Sequence, residues 1–100
     1  MSEQAKHDTT RPLFVPLAAR WFDAFASGAK DEEFRPYGPR WNEQTCAIGR
    51  AVTLSYGYGK ARRLHGHVEG FRVVGPDADP AIAQVYPGLE RIAAIKVRLA

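Results

Sequence analysis

The alternation of apolar and polar residues along the chain predicts one main helix among several short strands. Leu13–Val15 is a short apolar run that is typical of a buried strand, and Pro16 is expected to end it. From Pro16 to about residue 27 the apolar residues recur at helical spacing, which predicts a helix closed by Gly28. Residues 31–36 follow as a short charged strand.

The remaining pattern predicts three more strands, at 51–56, 62–74 and 91–99, and a short helix at 79–86 that begins with Asp79 as N-cap. Gly66 and Gly70 fall on one face of the long strand predicted at 62–74. Repeated glycines on one strand face often mark bending or close backbone approach. One substantial helix with about five strands predicts an α+β domain. We expect a small, curled, mostly antiparallel β-barrel with a short connector helix.

Composition limits the class of protein. A chain of 100 residues with 45% apolar content is expected to form one globular domain, over residues 12–100, after a mobile tail at 1–11. The polar amino terminus does not read as a secretory signal, and no apolar run approaches the ~20 residues that a membrane helix needs. The single cysteine, Cys46, is typical of a reducing compartment, so we expect a cytoplasmic location.

The net charge of +3 comes from the second half of the chain. Residues 1–50 hold equal numbers of basic and acidic side chains, whereas residues 51–100 hold seven basic and four acidic ones. This asymmetry favours a polyanionic partner such as nucleic acid. An exposed basic strand that binds another protein fits the same charge.

Lys30, Glu33 and Arg35 form the most promising polar cluster. Residues two apart on a strand share a face, so Glu33 and Arg35 are expected to project together, with Lys30 in the turn before them. The same residues also fit an ion-paired strand end at the surface. Sequence spacing alone leaves both interpretations open.

The stretch from Trp21 to Arg35 resembles the signature of ASCH domains, in which a helix is followed by Gly-x-Lys and then by a strand with a polar residue and an arginine two apart. Arg40-Trp41 resembles the basic–aromatic pair often found just after that motif. Tyr86-Pro87-Gly88, before the last strand, resembles a feature of small bacterial ASCH proteins. The resemblance implies a PUA-like β-barrel with a cleft suited to RNA or a nucleobase derivative.

One ASCH branch is an amidohydrolase that removes the acetyl group of N4-acetylcytidine with a lysine, a threonine and a glutamate. Lys30 is at the lysine position here, but Glu33 stands where the threonine nucleophile would be, and the catalytic glutamate has no clear counterpart. We therefore expect a binding domain for RNA or a modified nucleoside first. A hydrolase of N4-acylcytidine-type nucleosides, with Lys30 and Glu33 in altered catalytic roles, is the alternative.

In the binding interpretation, Lys30 and Arg35 contact phosphate or carbonyl oxygens and Glu33 accepts a hydrogen bond from an exocyclic amine. The sequence also nominates binding residues in the segment that follows, where an aromatic ring could stack on a base beside an arginine: Tyr37, Arg40 and Trp41. In proteins generally, a tryptophan such as Trp41 is more often a core residue than a stacking platform for a base.

Two further features are weaker indications of a functional site. His65 and His67 share a strand face, but with only Glu69 nearby they are better explained as partly exposed histidines, so we expect no metal and no cofactor. The glycine-rich stretch Gly57–Arg63 could contact phosphates through backbone amides and basic side chains, although a plain hairpin turn is favoured.

Overall fold

The computed structural model describes residues 10–100, where five strands form one curled sheet accompanied by two helices. Most of the predicted mobile tail, residues 1–9, lies outside this part of the chain. The elements are β1 (Leu13–Leu17), α1 (Ala19–Ser27), β2 (Glu32–Pro36), β3 (Ala51–Tyr56), β4 (Arg63–Val74), α2 (Pro80–Val85) and β5 (Ile92–Leu99).

The strand order in the sheet is β1-β3-β4-β5-β2, so the first two strands of the chain lie at opposite edges. β1 pairs with β3 in parallel, and the other three pairings are antiparallel. The sheet curls into a half-barrel. This confirms the prediction of a small, mostly antiparallel α+β fold with one main helix and a connector helix.

The start of α1 differs from the sequence prediction. Pro16 does not begin the helix but continues β1 opposite Ser55, and the helix starts at Ala19 after an N-cap, Ala18, whose side chain makes no capping bond. A proline fits here because β1 is an edge strand. The predicted end is correct: Gly28 has φ 84°, and its N–H donates to the Phe25 carbonyl at 3.1 Å.

The backbones of β4 and β5 approach each other closely at Gly66. A Cβ built on Gly66 would lie 2.2 Å from the Arg98 carbonyl oxygen of β5, a distance that no side chain can occupy. The β4–β5 register then shifts between Val68 and Gly70, and such a bulge bends and twists a strand. The expectation that glycines mark bending or close approach is thus fulfilled at Gly66, whereas Gly70 has ordinary room.

The core lies between the concave sheet and α1. Phe22 and Phe25 of the helix are buried, as are Val15 and Leu54 of the strands behind them. Trp21 immediately precedes Phe22 and is only partly buried, because consecutive helix positions face about 100° apart. One aromatic ring therefore anchors the helix while its neighbour stays near the surface.

α2 begins as predicted, with the Asp79 carboxylate accepting from the Ala81 N–H at 2.8 Å and Pro80 in the first turn. Its Ile82 is buried. Between residues 10 and 100, neither helix has the length and apolar character needed to cross a membrane.

Candidate functional site

The end of α1 positions the lysine of the charged cluster. After the left-handed Gly28, the Lys30 N–H donates to the Ala24 carbonyl at 3.1 Å, which folds the chain back against the helix before β2 begins. The Asp31 carbonyl then accepts from the Val97 N–H at 2.8 Å, joining this turn to β5. Lys30 is thereby fixed close to the first residues of β2.

Glu33 lies between two cations. Its Oε2 accepts from Arg35 Nε at 2.8 Å, and its Oε1 lies 3.6 Å from Lys30 Nζ. The three side chains are only 10–17% exposed. Two positive charges thus share one carboxylate in a mostly dehydrated setting, and the cluster carries a net charge of +1.

The Lys30 ammonium group also lies over three aromatic rings. Nζ is 5.0 Å from the ring centroid of Trp21, 5.2 Å from that of Phe34 and 5.5 Å from that of Phe25. Cation–π contacts at such distances help to hold the ammonium group in place. Lys30 can therefore present hydrogen-bond donors to a ligand from a nearly fixed position.

Arg35 joins the two edges of the half-barrel. Besides the bond to Glu33, its terminal nitrogen Nη2 donates to the Pro16 carbonyl of β1 at 2.6 Å, and its guanidinium carbon lies 4.9 Å from the Trp41 ring. Two of its five N–H donors are therefore used inside the protein. Arg35 orients Glu33 and connects β2 to β1.

The cluster lines a cleft of about 650 Å³, within the usual size of small-molecule sites. Its lining mixes charged side chains, which include Asp31, Glu32 and Asp79 besides the cluster, with apolar and aromatic ones. The walls come from β1, α1, β2 and α2, and include Leu17, Trp21, Lys30, Glu33, Phe34, Arg35, Ile82, Val85 and Tyr86.

Two of the wall residues were missed by the sequence predictions. Trp21 was included only among the apolar residues at helical spacing, and its rotation of about 100° from Phe22 is the signal that separates the two. Tyr86 was placed only at the end of the short helix predicted at 79–86. Its hydroxyl donates to the Phe34 carbonyl at 3.2 Å, and burial raises its pKa, with Arg35 opposing and Glu33 adding to that shift.

The structure brings Lys30, Glu33 and Arg35 together, but the three other predicted binding residues belong to the loop after β2 and do not line the cleft. Trp41 is 93% buried, beneath Arg35 and 5.6 Å from the guanidinium carbon of the exposed Arg40. Tyr37 donates to the Glu43 carboxylate, and that hydrogen bond raises the pKa of the Tyr37 hydroxyl.

Metal ligands are not grouped in the part of the chain from residue 10 onward: no set of three or more His, Cys, Asp or Glu side chains there could hold an ion. His65 Nδ1 lies 3.5 Å from the Thr53 hydroxyl. Glu69 forms its ion pair with Arg98, at 3.0 Å.

A curled five-stranded half-barrel, with a helix after the first strand and a Gly-x-Lys turn into the second, is the architecture of a small PUA-like α+β fold. Among solved structures, the chain is similar to a point mutant of ZmASCH from Zymomonas mobilis, with a TM-score of 0.62 and 15% sequence identity over 85% of this chain and 67% of that chain. No family model and no curated protein matches the sequence. The likeness confirms the ASCH-like fold predicted from the sequence.

Proposed function

We propose that this chain is a binding domain whose cleft holds one base of RNA, or of a modified nucleoside. The observation that carries this proposal is the pairing of Lys30 Nζ with Glu33 Oε1, 3.6 Å apart on the wall of a cleft that Trp21 also lines. A donor and an acceptor side by side, next to an aromatic ring, match the edge and the face of a nucleobase.

The chemistry of the pair favours a base with an exocyclic amine. Glu33 would accept from that amine, while Lys30 would donate to a neighbouring ring nitrogen or carbonyl oxygen, as on the pairing edge of cytosine. Each carboxylate oxygen has two lone-pair directions, so Glu33 can accept a further bond while it stays paired with Arg35. Trp21 would supply the stacking surface.

The three predicted binding residues of the loop after β2 would have different roles. Arg40 is exposed, and Tyr37 is partly so; they would contact nucleotides outside the cleft. Trp41 is buried, so it would act by holding Arg35. An RNA partner agrees with the basic second half of the chain and with the cytoplasmic location that we propose.

The proposal is tested by titrating labelled single-stranded RNA, cytidine and uridine at low and moderate salt. We expect cytidine to bind at least about fivefold more tightly than uridine, because uridine leaves the Glu33 acceptor unmatched. We expect Trp21→Ala to weaken binding about tenfold, and Lys30→Ala to weaken binding as well. Arg98→Ala is the matched control, since Arg98 is an exposed basic residue of β5 that pairs with Glu69, and neither residue lines the cleft.

Binding by the wild-type chain is the main test of the proposal. No binding to RNA or to either nucleoside at low salt would refute the proposal. Binding that both Trp21→Ala and Lys30→Ala leave unchanged would assign the ligand to another surface. Circular dichroism of each variant separates lost contacts from lost fold.

Hydrolysis of N4-acylcytidines is a second candidate, because Lys30 and Glu33 are close together in a cleft of nucleoside size. A carboxylate in this position can act as a general base or a nucleophile. Incubation with N4-acetylcytidine, followed by chromatography for free cytidine, tests this candidate. Product that disappears in Glu33→Gln supports an enzyme, whereas binding without product supports recognition alone.

A further inference from the structure

The β3–β4 hairpin carries exposed aromatic rings and basic side chains that core packing does not require. Tyr58, at its tip, is 81% exposed, and Tyr56 is 39% exposed. Lys60 and Arg63 accompany them with no acidic partner among residues 10–100. We name this surface the hairpin patch; it comprises Phe14, Tyr56, Tyr58, Lys60, Arg62 and Arg63.

The arginines of the hairpin patch lie over aromatic rings. The guanidinium carbon of Arg62 lies 4.6 Å from the Tyr56 ring and 5.0 Å from the Phe22 ring. That of Arg63 lies 5.3 Å from the Phe14 ring, which in turn is 6.3 Å from the Tyr58 ring. Cation–π contacts of this kind restrain an arginine, so it loses less side-chain freedom when it binds a phosphate.

The hairpin patch is physically joined to the cleft. Gly57, with φ 66°, turns the chain at the hairpin, and its N–H donates to the Leu17 carbonyl at 2.9 Å. Leu17 lines the cleft and ends β1, so the cleft wall and the hairpin meet at this residue. On the helix, the guanidinium carbon of Arg20 lies 4.5 Å from the ring centroid of Trp21, so a basic group accompanies this cleft residue.

We infer that the hairpin patch binds the nucleotides next to the base in the cleft, so that the ligand is single-stranded RNA and not a free nucleoside. This inference rests on the proposed function of the cleft. Exposed rings beside basic side chains bind single strands by stacking bases and neutralising phosphates. Between residues 10 and 100, Asp23 is the acidic residue that pairs with the patch, at 3.2 Å from Arg62, so positive charge predominates there.

The inference predicts that affinity grows with RNA length and that the gain depends on the hairpin. The ligands are cytidine, a cytidine trinucleotide and a cytidine hexanucleotide, with polyphosphate of matched charge as a polyanion without bases. Tyr58→Ala should weaken hexanucleotide binding about tenfold and leave cytidine binding unchanged. The double variant Lys60→Gln with Arg63→Gln should reduce the salt dependence by about 1.4 in log–log slope, since each lost phosphate contact on a single strand contributes about 0.7.

The matched control is Lys96→Gln with Arg98→Gln, which removes the same charge from exposed positions of β5. It should change hexanucleotide binding much less than the hairpin variants do. Thermal unfolding of all variants shows whether the hairpin still folds.

The outcomes separate the two proposals. Equal affinity for cytidine and the hexanucleotide, with no effect of the hairpin variants, would overturn the role of the hairpin and leave the cleft proposal standing. Hexanucleotide binding that Tyr58→Ala weakens but Trp21→Ala does not would overturn the cleft proposal and the coupling inferred here. Polyphosphate binding as tightly as the hexanucleotide, unaffected by Tyr58→Ala, would show a basic patch without base recognition and so refute the inference.

Discussion

Replacing Arg35 by alanine should destabilise the fold more than replacing any other member of the charged cluster. The substitution removes the 2.8 Å bond to Glu33 and the 2.6 Å bond to the Pro16 carbonyl, both from a charged donor. Hydrogen bonds to charged groups are worth about 1.5–3 kcal/mol each, and breaking a buried ion pair costs about 3–5 kcal/mol. Because Lys30 still faces Glu33 and the three side chains are 10–17% exposed, the cost should lie at the low end of the range for a buried pair. We expect the free energy of unfolding to fall by about 3 kcal/mol.

Urea denaturation followed by tryptophan fluorescence measures this loss. We expect the slope against urea to stay constant while the midpoint falls, and the melting temperature to drop by roughly 15 °C at 4–8 °C per kcal/mol. Lys30→Ala is the comparison. Lys30 lies 3.6 Å from Glu33, and removing it leaves the Arg35–Glu33 bond in place. Lys30→Ala should therefore lower the free energy of unfolding by about 1 kcal/mol.

A triple variant sharpens the test. Lys30→Met, Glu33→Gln and Arg35→Met together remove all three charges, so no unpaired buried charge remains, and the triple variant should be more stable than Arg35→Ala. If Arg35→Ala cost no more than Lys30→Ala, the guanidinium group would not be joining the sheet edges. The assignment of Arg35 as the link between β1 and β2 would then be wrong.

Three further outcomes follow from the fold. Gly66→Ala should prevent folding or lower the free energy of unfolding by several kcal/mol in a melting experiment, because its Cβ would lie 2.2 Å from the Arg98 carbonyl oxygen. Gly70→Ala, whose Cβ would lie 3.5 Å from its nearest atom, should cost about 1 kcal/mol or less. Equal effects of the two substitutions would contradict this. Burial raises the pKa of the Cys46 thiol, so the folded state keeps a proton that the unfolded chain loses above about pH 8.5, and the free energy of unfolding should fall as the pH rises through that value. Cys46→Ala should lessen this fall, and an identical pH profile would count against it. Tyr86→Phe removes the bond to the β2 carbonyl and should lower stability by about 1 kcal/mol in urea, while no change would mean that water replaces it.

The sequence predicted the elements where its signal is local. Strand alternation placed Glu33 and Arg35 on one face, and they do share a hydrogen bond. The Asp79-Pro80 start of α2 and the Gly28 end of α1 follow from backbone preferences that tertiary contacts did not override. Pro16 was misassigned because the same residue suits a helix start and an edge strand, and only the pairing of β1 with β3 decides between them.

The candidate site depended more heavily on the tertiary structure. Lys30, Glu33 and Arg35 were found because they lie within six residues of one another, so local geometry brings them together. Trp21 and Tyr86 were missed because the cleft that they line forms only when α1 and α2 come together with β1 and β2. The charge pattern and the strand period of this protein were thus present in its sequence, whereas the shape of its cleft was decided by long-range packing, which no local spacing encodes.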